Sequence, residues 1–87
     1  PGCYPTGGIA LLRPLVDASY RAWLDRLAGL VEEGRSDGSI ARSVDARQAA
    51  WRLTAVGDGI DSMLYLGLLG REKARTLMRE TVRRELV

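Results

Sequence analysis

The stretch from Asp45 to Gly70 has two sides that both avoid water, and this constrains the rest of the chain. On a helical wheel at about 100° per residue, Ala49, Leu53, Val56, Ile60, Met63, Leu64 and Gly67 fall within an arc of roughly 100°. Trp51, Thr54, Asp58, Ser62 and Tyr65 fall on the opposite side within roughly 80°, joining aromatic bodies to polar tips. A helix of this kind needs a cover on each side. Asp45 opens it, because its carboxylate can accept from the N–H of Gln48 while the Gln48 side chain reaches back. The expected helix runs from Ala46 to Leu69 and stops at Gly70. Gly57 and Gly67 would let a neighbouring backbone approach, at a propensity cost of about 1 kcal/mol each.

Two further helices flank this one. Leu12, Leu15, Val16, Tyr20, Trp23, Leu24, Leu27, Leu30 and Val31 recur at spacings of three and four, which predicts a helix over residues 14–33. Pro14 suits its first turn and Gly34 its C-terminal cap, and Asp17 and Arg21 form a surface i,i+4 pair. The prolines and glycines of residues 1–13 predict an irregular leader before the helical domain of residues 14–87. Arg35 to Ser43 reads as a connector from which Ile40 tucks back onto the core. A third helix is predicted over residues 72–86, with Ala74, Leu77, Met78, Thr81 and Val82 on one stripe. The short link makes helices two and three an antiparallel hairpin. The fold class is all-α, and no internal repeat or low-complexity tract interrupts it.

In a chain of 87 residues one small domain is the ceiling, and a lone copy buries only about 60% of its unfolded surface. With one cysteine, Cys3, and no histidine, neither an internal disulfide nor an ordinary zinc or iron site can staple it. No catalytic residues, metal ligands or cofactor are expected, since no nucleophile–base pair, ligand cluster or phosphate loop can be assembled. Cys3 lies in the leader without the cationic surroundings a reactive thiolate needs. No apolar run approaches the roughly 20 residues of a membrane span, so a soluble, cytoplasmic protein without a membrane partner is expected. The start at Pro1, without a signal-peptide h-region, is expected of a piece of something longer.

The missing burial must come from another molecule. Either helix one alone covers the apolar side of helices two and three, giving a monomer, or the hairpin packs on a second copy as an intermolecular four-helix bundle. The homodimer is the reading adopted, because helix one has a single stripe and covers only one side of helix two. Its interface residues are Val56, Ile60, Met63, Leu64 and Gly67 from helix two, and Leu77, Met78, Thr81 and Val82 from helix three. Asp61 falls at the rim of that surface.

The run Asp45-Ala-Arg-Gln-Ala-Ala-Trp-Arg-Leu-Thr-Ala-Val-Gly-Asp-Gly-Ile60, followed by Gly67-Leu-Leu-Gly70 and a basic amphipathic helix, resembles the C-terminal end of TetR-family transcriptional regulators. The likeness covers about Tyr20 to Val87. It implies an all-helical domain that binds a small effector and dimerises through its last two helices, in a repressor whose N-terminal helix-turn-helix reads operator DNA. That helix-turn-helix and the other walls of the family's effector cavity lie outside this chain, so DNA is a partner only through them. The rival reading is a helical interaction module that recognises another protein's helix, with no small molecule.

For an effector of unknown identity, the candidate ligand-binding residues are Tyr20, Trp23, Trp51, Thr54, Asp58 and Tyr65, since apolar cavities favour aromatic walls with a few placed polar groups. A carboxylate at Asp58 in a largely apolar helix needs a partner. Either the effector provides it, or a backbone group or an arginine such as Arg21 does. Residues 71–87 hold six Lys or Arg against three Glu, and Arg75, Arg79 and Arg83 form a basic stripe. Without interleaved aromatics this stripe reads as a solvated face rather than a nucleic-acid surface.

Overall fold

The structure, a computed structural model, describes residues 6–87, with side chains from residue 12 onward. It contains α1 (Thr6–Asp37), α2 (Ala46–Tyr65) and α3 (Arg71–Leu86), with no strand among the described residues. The all-α expectation holds. The helices lie side by side with α2 in the middle, packed on α1 along one side and on α3 along the other. The molecule measures 56 × 30 × 14 Å, and its thinnest dimension is little more than the ~10–12 Å diameter of one helix with side chains. Its radius of gyration is 16.3 Å, against about 12 Å for a compact chain of this length. It is a single layer of helices, so both broad faces lie open in one copy.

Small residues bring the three helices together. The buried core among the described residues is Leu24, Val31, Ala46, Ala49, Ala50, Leu53 and Ala74. Alanine brings α2 within close reach of both neighbours but buries little apolar area per residue. Both packings are antiparallel. Arg52 on α2 reaches Glu85 on α3 at 3.3 Å, and the Ala41 N–H donates to the Leu86 carbonyl at 3.1 Å, tying the end of α3 to the connector. On the other side, Arg47 of α2 pairs with Asp25 of α1 at 2.8 Å. The expected helix-two/helix-three hairpin is therefore present.

The helix ends differ from the sequence expectation at three points. First, α1 begins at Thr6, so residues 6–13 are helical rather than irregular, while Pro1–Pro5 lie outside the described residues. Ile9-Ala-Leu-Leu12 are good helix formers, and Pro14 sits at an exposed position where its ring meets solvent rather than a neighbouring helix. Its cost is then the missing N–H and local crowding.

Second, α1 continues through Gly34 to Asp37. Gly34 is not the cap; it is the seat on which Ile40 rests. A Cβ at position 34 would lie 2.3 Å from Ile40 Cδ1 and 2.6 Å from Cγ1. The left-handed residue that ends the helix is Gly38, with φ +87°. The Ile40 N–H then donates to the Gly34 carbonyl at 3.0 Å and the Ser39 N–H to Asp37 Oδ1 at 2.8 Å. Ile40 does fold back as the sequence suggested.

Third, α2 stops at Tyr65 instead of Leu69. Gly67 adopts φ +75°, the Leu68 N–H donates to the Met63 carbonyl at 2.9 Å and the Gly67 N–H to the Leu64 carbonyl at 3.1 Å. These paired bonds are the Schellman arrangement, which satisfies carbonyls that a longer helix would have used internally. Gly70 becomes the extended N-cap of α3, which starts at Arg71. At its other end α2 opens as expected, with the Gln48 N–H donating to Asp45 Oδ1 at 2.9 Å.

Candidate functional site

Two polar ties cross the seam between α1 and α2. Trp23 Nε1–H donates to Thr54 Oγ1 at 3.0 Å, and the Tyr20 hydroxyl donates to the Asp58 carboxylate. Tyr20 and Trp23 are three apart on α1, and Thr54 and Asp58 four apart on α2, so each pair shares one helix face and the antiparallel packing brings the faces together. The hydrogen bond to Asp58 is the main reason the Tyr20 phenol titrates above its usual range, with the Asp58 charge and partial burial adding to it. With Ser19, these four residues line an open hollow of about 280 Å³. Aromatic walls with a hydroxyl and a carboxylate supply both apolar contact and hydrogen-bond capacity.

Of the six residues expected to bind a ligand, Tyr20, Trp23, Thr54 and Asp58 come together here. Trp51 does not. It lines a second hollow across the seam, with Arg47 and Asp25, and shares only Tyr20 with the first. Tyr65 is 90% exposed in the last turn of α2 and lines neither hollow. The two departures differ in kind: Trp51 lines the hollow that holds Arg47 and Asp25, whereas Tyr65 is the last residue of α2. Asp58 pairs with Tyr20 rather than Arg21, whose guanidinium is held by Asp17 at 2.8 Å, as the i,i+4 spacing anticipated. Sequence reasoning missed Ser19, although it lies one turn before Trp23, and the cross-helix pairs Asp25–Arg47 and Arg52–Glu85, for which helix periodicity alone carries no signal.

The α2–α3 surface is partly open. Val56, Ile60 and Leu64 of α2 and Leu77, Met78 and Thr81 of α3 are half-buried, whereas Met63 and Val82 are 45% and 38% exposed. Because α1 packs on the side of α2 away from α3, it does not cover this surface. Gly67 lies beyond the end of α2, so it ends the helix and is not part of the helical stripe. Asp61, Arg75, Arg79 and Arg83 are exposed. No group of His, Cys, Asp or Glu suited to a metal ion occurs among the described residues, and no helix is long and apolar enough to cross a membrane.

The three helices form one layer that ends in a short hairpin with a part-open apolar face. The family model of the C-terminal domain of BetI-type transcriptional repressors, a TetR-family domain, matches residues 10–87. The chain belongs to this family. TetR-family regulators act as homodimers that bind DNA and small-molecule effectors. Among curated proteins, the N-acetyl-gamma-glutamyl-phosphate reductase of Burkholderia lata is similar, 44% identical over an aligned length of 54, with 56% of this chain and 17% of the reductase covered. The chain thus spans a small fraction of that relative's length. No solved structure matches the chain.

Proposed function

We propose that this TetR-type domain is the effector-sensing and dimerisation part of a repressor, in which a small molecule alters the DNA affinity of a helix-turn-helix domain beyond this chain. The observation that carries the reading is the α1–α2 seam, where Trp23–Thr54 and Tyr20–Asp58 meet around one hollow. A ligand carrying a cationic or hydrogen-bonding group competes with Tyr20 for Asp58 while its apolar part lies against Trp23. The tie between the helices then changes with occupancy. Coupling of this kind is typically about 1–3 kcal/mol, a change of roughly 5–150-fold in the affinity of the linked site.

Dimerisation uses Val56, Ile60, Met63 and Leu64 of α2 with Leu77, Met78, Thr81 and Val82 of α3, packed against the same residues of a second copy. The part-open apolar surface supports this reading. The match to a transcriptional-regulator domain supports reading the domain as non-enzymatic. The alternative is a helical protein-interaction module without a ligand.

Titration of the whole repressor with a panel of small amphiphilic molecules, following Trp23 fluorescence and operator release together, separates the two readings. Effector sensing predicts that an active compound changes both signals and that Asp58→Asn and Trp23→Leu each weaken the response. A repressor that releases DNA normally in both variants removes the seam from effector binding.

A further inference from the structure

One face of α2 takes no part in the packing of a single copy. Trp51, Ala55, Gly59, Ser62 and Leu66 fall within about 80° of one another around the helix, and all of them are exposed. Leu66 continues the row although it caps α2, because its backbone stays helical at φ −80° and ψ −4°. Trp51 and Leu66 are 56% and 67% exposed, so the row has large apolar side chains at its ends and small ones between them. Gln48 and Arg52 share the arc nearer the start of α2, and Arg52 is drawn aside towards Glu85 on α3 at 3.3 Å.

Gly59 is the centre of this row. Glycine in a helix interior is about fivefold less favourable than alanine, and nothing within one copy requires it here. No neighbouring atom lies within 4 Å of where a Cβ at position 59 would be, and the backbone is not left-handed. A second helix crossing at this point offsets that cost, because the missing side chain lets two helix axes approach to the short end of the roughly 8–10 Å range.

A second copy of the chain fits the row. A two-fold contact repeats one patch on both molecules, so the patch must complement itself. In an antiparallel crossing with Gly59 on the axis, each residue faces the one equally far on the other side. Gly59 then faces Gly59, Ala55 faces Met63, and Trp51 reaches Leu66. Large meets small beside the axis, and the exposed ends cover each other. Met63 also belongs to the proposed dimer surface of α2 and α3, so the two surfaces are continuous. Val56, Ile60, Leu64, Leu77, Met78 and Thr81 of that surface are already half-buried in one copy, while a stable interface buries about 800 Å² on each partner. The face around Gly59 supplies further area.

Resting on the homodimer reading, we propose that α2 crosses α2 of a second copy antiparallel at Gly59, with Trp51 of each subunit covered by Leu66 of the other. Axes 8–10 Å apart bring the facing Cα atoms to about 4–5 Å, within reach of a disulfide. The test uses the whole repressor with its other cysteines, Cys3 included, changed to serine. Gly59→Cys is expected to give a disulfide-linked dimer under mild oxidation. Ala55→Cys and Met63→Cys should each stay unlinked alone and link once mixed and allowed to exchange subunits. Thr76→Cys, exposed on α3, is the control that stays unlinked. Gly59→Leu has room in a single copy, so its circular dichroism should be unchanged while the dimer dissociation constant in sedimentation rises by about tenfold, the scale of an overpacked contact. A dimer that links no faster at position 59 than at 76, or that Gly59→Leu leaves unchanged, keeps the homodimer reading and overturns this contact. A repressor that sediments as a monomer overturns both.

Discussion

Tyr20 on α1 donates its hydroxyl proton to Asp58 on α2, 38 residues later in the chain, and this bond ties together the two helices around the candidate effector hollow. Since the neutral phenol is the donor, the folded protein holds that proton more firmly than the unfolded chain does, and the Tyr20 pKa is raised. The stabilisation is present below the unfolded tyrosine pKa and is lost as pH rises through the higher folded value. The tyrosine titration is therefore expected to show Tyr20 ionising above the ordinary range, and Asp58→Asn is expected to bring it back towards that range. An unchanged Tyr20 midpoint in the variant, read by ¹³C-labelled tyrosine NMR, would contradict the assignment.

The contact between Gly34 and Ile40 predicts an unusual response to alanine. In most helix interiors Gly→Ala stabilises by about 1 kcal/mol. Here the new methyl would overlap Ile40, and such overpacking typically costs about 1–3 kcal/mol. Gly34→Ala is expected to lower the urea midpoint. Adding Ile40→Ala should recover part of that loss, so the double-mutant cycle has a favourable interaction term. Additive losses in the cycle would mean that the two residues do not share this space.

The proposed dimer is tested by charge insertion at its centre. Leu64→Glu places a carboxylate on the half-buried surface shared by α2 and α3, where burial against a second copy would leave it unpaired. Sedimentation equilibrium is expected to show a shift from dimer to monomer, with helical content largely retained. A variant that remains dimeric at the same concentration would place the interface elsewhere.

The N-cap of α2 predicts a smaller effect. Asp45→Ala removes the acceptor for the Gln48 N–H, a change that costs about 1 kcal/mol at a helix N-terminus. Asp45→Ser should recover most of it, since a serine hydroxyl makes the same bond. Equal stability of all three proteins in thermal unfolding would show that the cap contributes nothing.

Much of this architecture was legible along the chain because it depends on near neighbours. Spacings of three and four marked each helix, Asp45 and Gln48 marked the start of α2, Asp17 and Arg21 were within one turn, and the short link implied the antiparallel hairpin. The family resemblance, carried by the Asp45–Ile60 run, points to the same kind of domain that the match over residues 10–87 shows.

Which glycine stops a helix was not legible, because Gly34, Gly38, Gly67 and Gly70 differ in what packs on them and in their backbone angles rather than in their side chains. Nor was the division of the aromatic stripe. Trp23 and Thr54 bond to each other while Trp51 lines a different hollow with Arg47 and Asp25, and a wheel drawn for one helix contains no second helix. The sequence by itself determined three amphipathic helices, the start of α2 and the excess of apolar surface. Only the tertiary structure decided which polar groups meet across α1 and α2, because a hydrogen bond between residues 38 positions apart depends on how the helices pack and not on the spacing within either one.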